Sequence, residues 1–249
     1  MTLMHLPESA VTLERDLRGI FGSRLQSVVV YGSRATRPEP DRAAQSAAES
    51  HQAGRLLTHT MAVVDELTTD DLRACSSRME SWEARGLATP LLVARSEFGR
   101  SLDAFPFEFG AILHDYLLVS GSNPFDGLSV HTADLRRACE VQARGHLLHL
   151  REGYLETYGR GDALAVLIVE SAPAFATLVT NVAHLDAVVG TVSAAARHVE
   201  RKIERPSTAS QIVSLVGVNE ITSAEAERLF APYLDAVQRL VAYIDTWQA

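Results

Sequence analysis

The stretch Leu25-Gln-Ser-Val-Val-Val-Tyr31 carries three consecutive valines and closes on Gly32-Ser33. A β-branched, aromatic run this short, bounded by Gly-Ser on each side, is predicted to be a buried strand. Leu13, Leu17 and Ile20/Phe21 recur at helical spacing just before it. That predicts a helix over 13–21, stopped by Gly22-Ser23.

The chain goes on alternating. A second strand is expected over 56–64 (LLTHTMAVV) and a third over 89–94 (TPLLVA), where Pro90 favours an edge or a strand start. A fourth is expected over 114–120 (HDYLLVS). Thr68 to Asp71 matches the S/T-x-x-D/E capping pattern. Leu72, Cys75, Met79 and Trp82 then follow on one helical face, up to Gly86. Between the first two strands, residues 34–55 are polar and Ala-rich, with no apolar stripe to bury, and read as a mobile insertion, a loop or a loosely held helix.

Residue 128 marks a change of character. Beyond the turn-rich Gly121–Gly127, the pattern is helical throughout. One helix starts near Ala133, with Leu147, Leu150, Tyr154 and Tyr158 as its stripe. The next starts at Asp162, and Pro173 should kink or split it. Further helices are expected over 192–203 and after Ser207. The last is capped by Thr222 and Glu225, with Ala226, Leu229/Phe230, Tyr233, Val237, Leu240/Val241 and Ile244 facing inward. The expected class is α+β: a mixed sheet with helices over 1–128, then an all-α bundle over 129–249.

The 249 residues carry a formal net charge of −8. Such a balance argues against a whole-surface nucleic-acid or membrane binder, though a local basic patch for nucleic acid stays open. Two distant cysteines, Cys75 and Cys139, imply neither a disulfide framework nor a zinc site. No signal peptide is visible, and the longest apolar run, 163–169, is too short to span a bilayer. A cytoplasmic protein is expected, as a monomer or an oligomer.

A buried strand ending in Gly-Ser has a physical use. Glycine lets the backbone approach a phosphate, and the serine hydroxyl and nearby N–H groups can donate to its oxygens. This helix–strand–Gly-Ser arrangement resembles the nucleotidyltransferase superfamily of DNA polymerase beta and the minimal nucleotidyltransferases. Three further stretches are similar to one bacterial branch of that superfamily: 62–72 (AVVDELTTDDL), 89–109 (TPLLVARSEFGRSLDAFPFEF) and 144–154 (RGHLLHLREGY). The resemblance implies a nucleoside triphosphate bound with Mg²⁺ or Mn²⁺, and its nucleoside monophosphate passed to an acceptor. It places Gly32 and Ser33 on the phosphates. Arg34 and Arg37 just after them can reach a bound triphosphate's charge, or are ordinary loop arginines if nothing binds.

The superfamily's Asp-x-Asp pair should open the second strand. Its positions fall on Leu57 and His59, or on Thr58 and Thr60 in the neighbouring register, and none is acidic. Magnesium wants hard oxygen ligands that these residues do not supply. Three readings stay open. The site is lost and a nucleotide-binding or antitoxin-like interaction module survives. Other acids substitute: Glu39 and Asp41 as catalytic metal ligands, with Asp65 and Glu66, at the far end of the second strand, as the other candidate ligands. Or Gly32-Ser33 is only a strand-ending turn.

Three other patterns have a plain and a sharp reading. Arg144 and His149 repeat the Arg-x4-His spacing of helical HEPN-type ribonucleases, yet i and i+5 share a helix face poorly. Arg197, Arg201 and Arg205, with His198 and Lys202, make a basic stripe: a nucleotide or nucleic-acid track, or a solvated face bridged by Glu200 and Glu204. His51, His59 and His114 offer metal-binding groups without a fixed spacing.

Overall fold

The computed structural model describes residues 6–32 and 57–248. The chain divides into two compact units, Met1–His131 and Thr132–Ala249.

In the N-terminal unit, α1 (Glu8–Phe21) runs into β1 (Leu25–Tyr31). After it come β2 (His59–Val64), α2 (Thr69–Ser76), α3 (Met79–Ala84), β3 (Leu91–Ala94), α4 (Arg95–Ala104), α5 (Pro106–His114) and β4 (Tyr116–Gly121). The sheet order is β3-β2-β1-β4. β1 is antiparallel to β2 and β4, while β2 and β3 run parallel. The class is α+β.

Both faces of this sheet are covered, which is why β1 reads as a continuous apolar run. On one face Val28, Ala62 and Val64 pack with Leu13 and Leu17 of α1, Cys75 of α2 and Trp82 of α3. On the other, Val29, Met61, Val63 and Val93 meet Phe98 and Leu102 of α4, Phe109 and Ile112 of α5, and Phe125. The Trp82 indole N–H donates to Asp16 at 3.0 Å, tying α3 to α1.

Several expectations shift in detail. The second strand begins at His59, because Thr58 makes an isolated bridge to Leu87 instead. The helix expected through Leu72 and Trp82 is two, broken at Ser77 and Arg78, and Leu72 faces solvent. Asp71 takes the inward position there. Its carboxylate completes the Thr68 capping box and receives both Arg24 guanidinium nitrogens. Pro90 stands just before edge strand β3. Helices α4 and α5 occupy residues for which no element was expected.

The C-terminal unit is helical: α6 (Thr132–Glu156), α7 (Gly161–Leu185), α8 (Val192–Ile203), α9 (Thr208–Val213) and α10 (Ser223–Thr246). The buried line of α6 is Cys139, Ala143, His146 and Leu150. Tyr154 lies at its margin, stacked on Phe230 at 4.4 Å, and Tyr158 is exposed. Pro173 does not split α7. That helix is long and apolar enough to cross a membrane by length and composition, contrary to the expectation from the uninterrupted run 163–169 alone. Here it packs against α6, α8, α9 and α10. The α10 stripe is buried as expected, and the Thr222 hydroxyl accepts from the Glu225 N–H.

Candidate functional site

Gly32 closes β1 with φ +80, the left-handed region that costs other residues strain. Among the described residues, a Cβ added there would meet no heavy atom within 4 Å. The Gly32 N–H donates to the Asp115 carbonyl at 3.2 Å. The residues expected to continue the site, Ser33, Arg34, Arg37, Glu39 and Asp41, lie outside the described residues.

Register decides what faces this corner. Tyr31 pairs with His59 and Val30 with Thr60, so the start of β2 lies beside the end of β1. That is where the resemblance puts the acid pair, and Leu57, Thr58, His59 and Thr60 occupy it. Thr58 and Thr60 are fully buried, and the Thr60 hydroxyl finds no hydrogen-bond partner among the described residues. The His59 ring lies 5.7 Å from that of Tyr31.

The same register separates Asp65 and Glu66 from Gly32. Leu25 pairs with Val64, so the end of β2 lies beside the start of β1. The Asp65 N–H donates to the Arg24 carbonyl at 2.9 Å, and its carboxylate accepts from the Gln26 amide at 2.9 Å. The Glu66 carbonyl accepts from Arg24. Seven strand residues intervene, about 25 Å at strand rise. Antiparallel pairing therefore keeps these two acids from joining a metal site at Gly32.

The sequence reading missed Asp115, which the β1–β4 pairing brings beside Gly32. Its signal, an acid opening the fourth strand, carries meaning only once that strand is known to flank β1. Tyr116 pairs with Tyr31, and its hydroxyl donates to the Asn123 side chain at 3.0 Å. Among the described residues no three His, Cys, Asp or Glu side chains cluster as metal ligands. The buried threonines and the histidine at the start of β2 do not fit a two-metal carboxylate site.

In the C-terminal unit the expected patterns resolve differently. Arg144 pairs with Glu140 and, through one guanidinium nitrogen, with both Asp245 oxygens at 2.8 and 2.9 Å. His149 is exposed, 3.7 Å from Glu152, and does not join Arg144. The inward histidine is His146, whose Nε2 lies 2.6 Å from the Tyr233 hydroxyl, itself 3.2 Å from the Ser171 hydroxyl. Burial, with a smaller effect from His149, pushes His146 down to about 4.

The basic stripe is not bridged by its own glutamates. Glu200 turns inward and accepts from the Ser210 N–H at 2.7 Å, at the start of α9. Arg205 pairs with Asp235. His198 and Lys202 turn to Asp186, which also accepts from the Tyr243 hydroxyl at 2.7 Å and the Trp247 indole at 2.8 Å. Burial alone would raise the Asp186 carboxyl. Hydrogen bonds from Tyr243, His198 and Trp247, with the Lys202 charge, hold it below its ordinary value instead. Of the three histidines weighed as metal ligands, His51 lies outside the described residues, and His59 packs beside Tyr31.

Among solved structures, the chain is similar to spectinomycin adenyltransferase AAD(9) from Enterococcus faecialis, determined with ATP and spectinomycin. The two are 10% identical, the match covers 97% of this chain and 100% of that one, and the TM-score is 0.50. The likeness is one of fold. No family model matches the chain, and no curated protein does.

Proposed function

We propose that the N-terminal unit is of nucleotidyltransferase type and receives the polyphosphate of a nucleoside triphosphate at Gly32. One observation carries this: a left-handed glycine, where an added side chain would meet no heavy atom among the described residues, closes a strand buried on both faces. Backbone without a Cβ can come close to phosphate oxygens, and since the Gly32 N–H is taken by the Asp115 carbonyl, the N–H groups that follow it would be the donors. Ser33, Arg34 and Arg37 follow directly and would add a hydroxyl and two guanidinium donors. The fold likeness to an adenyltransferase supports the same reading.

Such a unit's ancestral reaction passes a nucleoside monophosphate to an acceptor with Mg²⁺ or Mn²⁺. For this chain we favour binding without transfer. Two-metal phosphoryl chemistry needs carboxylates converging within a few ångström, and Leu57 to Thr60 supply none. Asp65 and Glu66 stand at the wrong end of β1. Transfer is the second reading, favoured by the position of Asp115 beside Gly32; Glu39 and Asp41 would be its further metal ligands.

The test is calorimetric titration of the full chain with each of the four nucleoside triphosphates, in EDTA and then with Mg²⁺ or Mn²⁺. Binding that persists in EDTA and is lost in Gly32→Val supports the favoured reading. Label appearing on any acceptor from an α-phosphate-labelled triphosphate moves the protein to the second. No binding of any triphosphate under either condition refutes both, and leaves a protein-interaction role for the unit.

A further inference from the structure

We infer that a row of three rings bordering Gly32, formed by Tyr116, Tyr31 and His59, is a stacking platform for the nucleobase. The inference rests on the nucleotide-binding reading above and adds which part of the ligand the sheet recognises.

The row follows from register. Tyr31 lies directly opposite His59 on β2 and directly opposite Tyr116 on β4. Residues directly opposite in antiparallel pairs project to the same face, so three neighbouring strands present a ring at the same level. The centroids of Tyr31 and His59 are 5.7 Å apart at 37°. All three side chains are half-buried. Tyr31 and Tyr116 pack at the margin of the phenylalanine cluster, where Tyr116 meets Phe125 edge-on at 4.6 Å. The two tyrosines are thus held from behind, and the middle ring, Tyr31, directly precedes the glycine proposed to meet the phosphates.

A second observation points to a base rather than to any flat apolar group. The Asn123 side-chain oxygen accepts from the Tyr116 hydroxyl at 3.0 Å and from the Phe125 N–H at 3.1 Å. Since that backbone N–H can only donate, the amide has one orientation, and its NH₂ group is turned away from both. Asn123 is exposed, so a fixed pair of donors stands at one end of the row. Every nucleobase offers an aromatic face for the rings and acceptor atoms at its edge for such donors.

The experiment compares ATP with inorganic tripolyphosphate by calorimetric titration of the full chain in EDTA. Stacking on aromatic side chains makes a base worth about a tenfold gain or more, so ATP should bind at least about tenfold tighter than tripolyphosphate. Tyr116→Leu and His59→Leu should each cut that advantage severalfold while leaving tripolyphosphate affinity unchanged, which also shows that the variants are folded. Tyr31→Phe, which keeps the ring, should keep the advantage. ATP binding no tighter than tripolyphosphate, or leucine variants that leave the ratio intact, would overturn the platform while the phosphate corner stands. If neither ligand binds, the nucleotide-binding reading fails and the platform with it.

Discussion

Arg24 grips Asp71 with two guanidinium nitrogens on two carboxylate oxygens, at 2.8 and 2.7 Å, joining the start of β1 to the first turn of α2. The same carboxylate closes the Thr68 capping box. The hydrogen bond from Arg24, then those from Thr68, hold the Asp71 carboxyl well below its ordinary value despite burial. A carboxyl lowered in the folded state stabilises fully above its unfolded pKa, near 4, and that contribution is lost as pH falls.

Asp71→Asn is therefore expected to weaken the N-terminal unit by about 2 kcal/mol at pH 7, through the lost ion pair and the weakened cap. Urea midpoints followed at Trp82 should fall with pH below about 5 in the parent and more gently in the variant. Parallel pH profiles would remove Arg24–Asp71 from the account.

Two left-handed glycines of the sheet should respond unequally to alanine. At Gly32 the new Cβ meets no heavy atom of the described residues, so the cost is conformational, about 1 kcal/mol. At Gly121 it would stand 1.9 Å from the Gln26 carbonyl oxygen, which belongs to β1 itself. Gly121→Ala should lower the melting temperature far more than Gly32→Ala, and only the latter should weaken triphosphate binding in proportion beyond its effect on stability. Thermal melts with and without ATP measure both.

The buried His146–Tyr233 pair makes the C-terminal unit acid-sensitive. Burial holds His146 neutral down to about pH 4, whereas an unfolded histidine protonates near 6.5. The unfolded state binds the extra proton between those values. Stability is thus complete above about pH 6.5 and declines as pH falls, by up to about 3 kcal/mol at pH 4. Tyr233→Phe should cost about 1–3 kcal/mol at neutral pH by stranding His146 Nε2, while the Ser171 hydroxyl keeps the Ile168 carbonyl. Denaturation monitored at Trp247 in a Trp82→Phe background, repeated from pH 7.5 to 4.5, checks the slope; a flat profile would contradict it.

Asp186 fastens the end of the chain by accepting from Trp247, Tyr243 and His198 together. Asp186→Ala strands three donors and is expected to cost about 2–4 kcal/mol. Before global unfolding, its Trp247 emission should shift to the red. Unchanged emission would mean that the indole is held by packing instead.

Much of the fold is legible along the chain because it rests on local chemistry. The valine run makes β1 where it is expected, and the α10 stripe from Ala226 to Ile244 is buried as its spacing implies. Thr68, Thr222 and Gly32 mark their boundaries through hydrogen bonds or dihedral angles spanning a few residues. Helices α4 and α5 were not legible, since the stretch Phe98 to Phe109 has too weak a period to tell helix from loop until the sheet offers a face to cover. The inward face of α6 is illegible in the sequence for a related reason. Which side of a long helix is inward depends on its neighbours, and they select His146 over Tyr154 and Tyr158.

The functional corner divides along the same line. A strand ending in Gly-Ser, followed by a second strand opening without acids, is a property of residue order and needs no coordinates. Whether Asp65 and Glu66 could replace the missing pair depended on strand direction. Antiparallel pairing carries them to the far end of β1 and brings Asp115, distant in the chain, to Gly32. Tyr116, Tyr31 and His59 become neighbours by the same pairing. Residue order encodes short-range preferences, whereas which side chains share a site follows from hydrogen-bond register between strands far apart in sequence, and one residue of slip would have turned each ring to the opposite face.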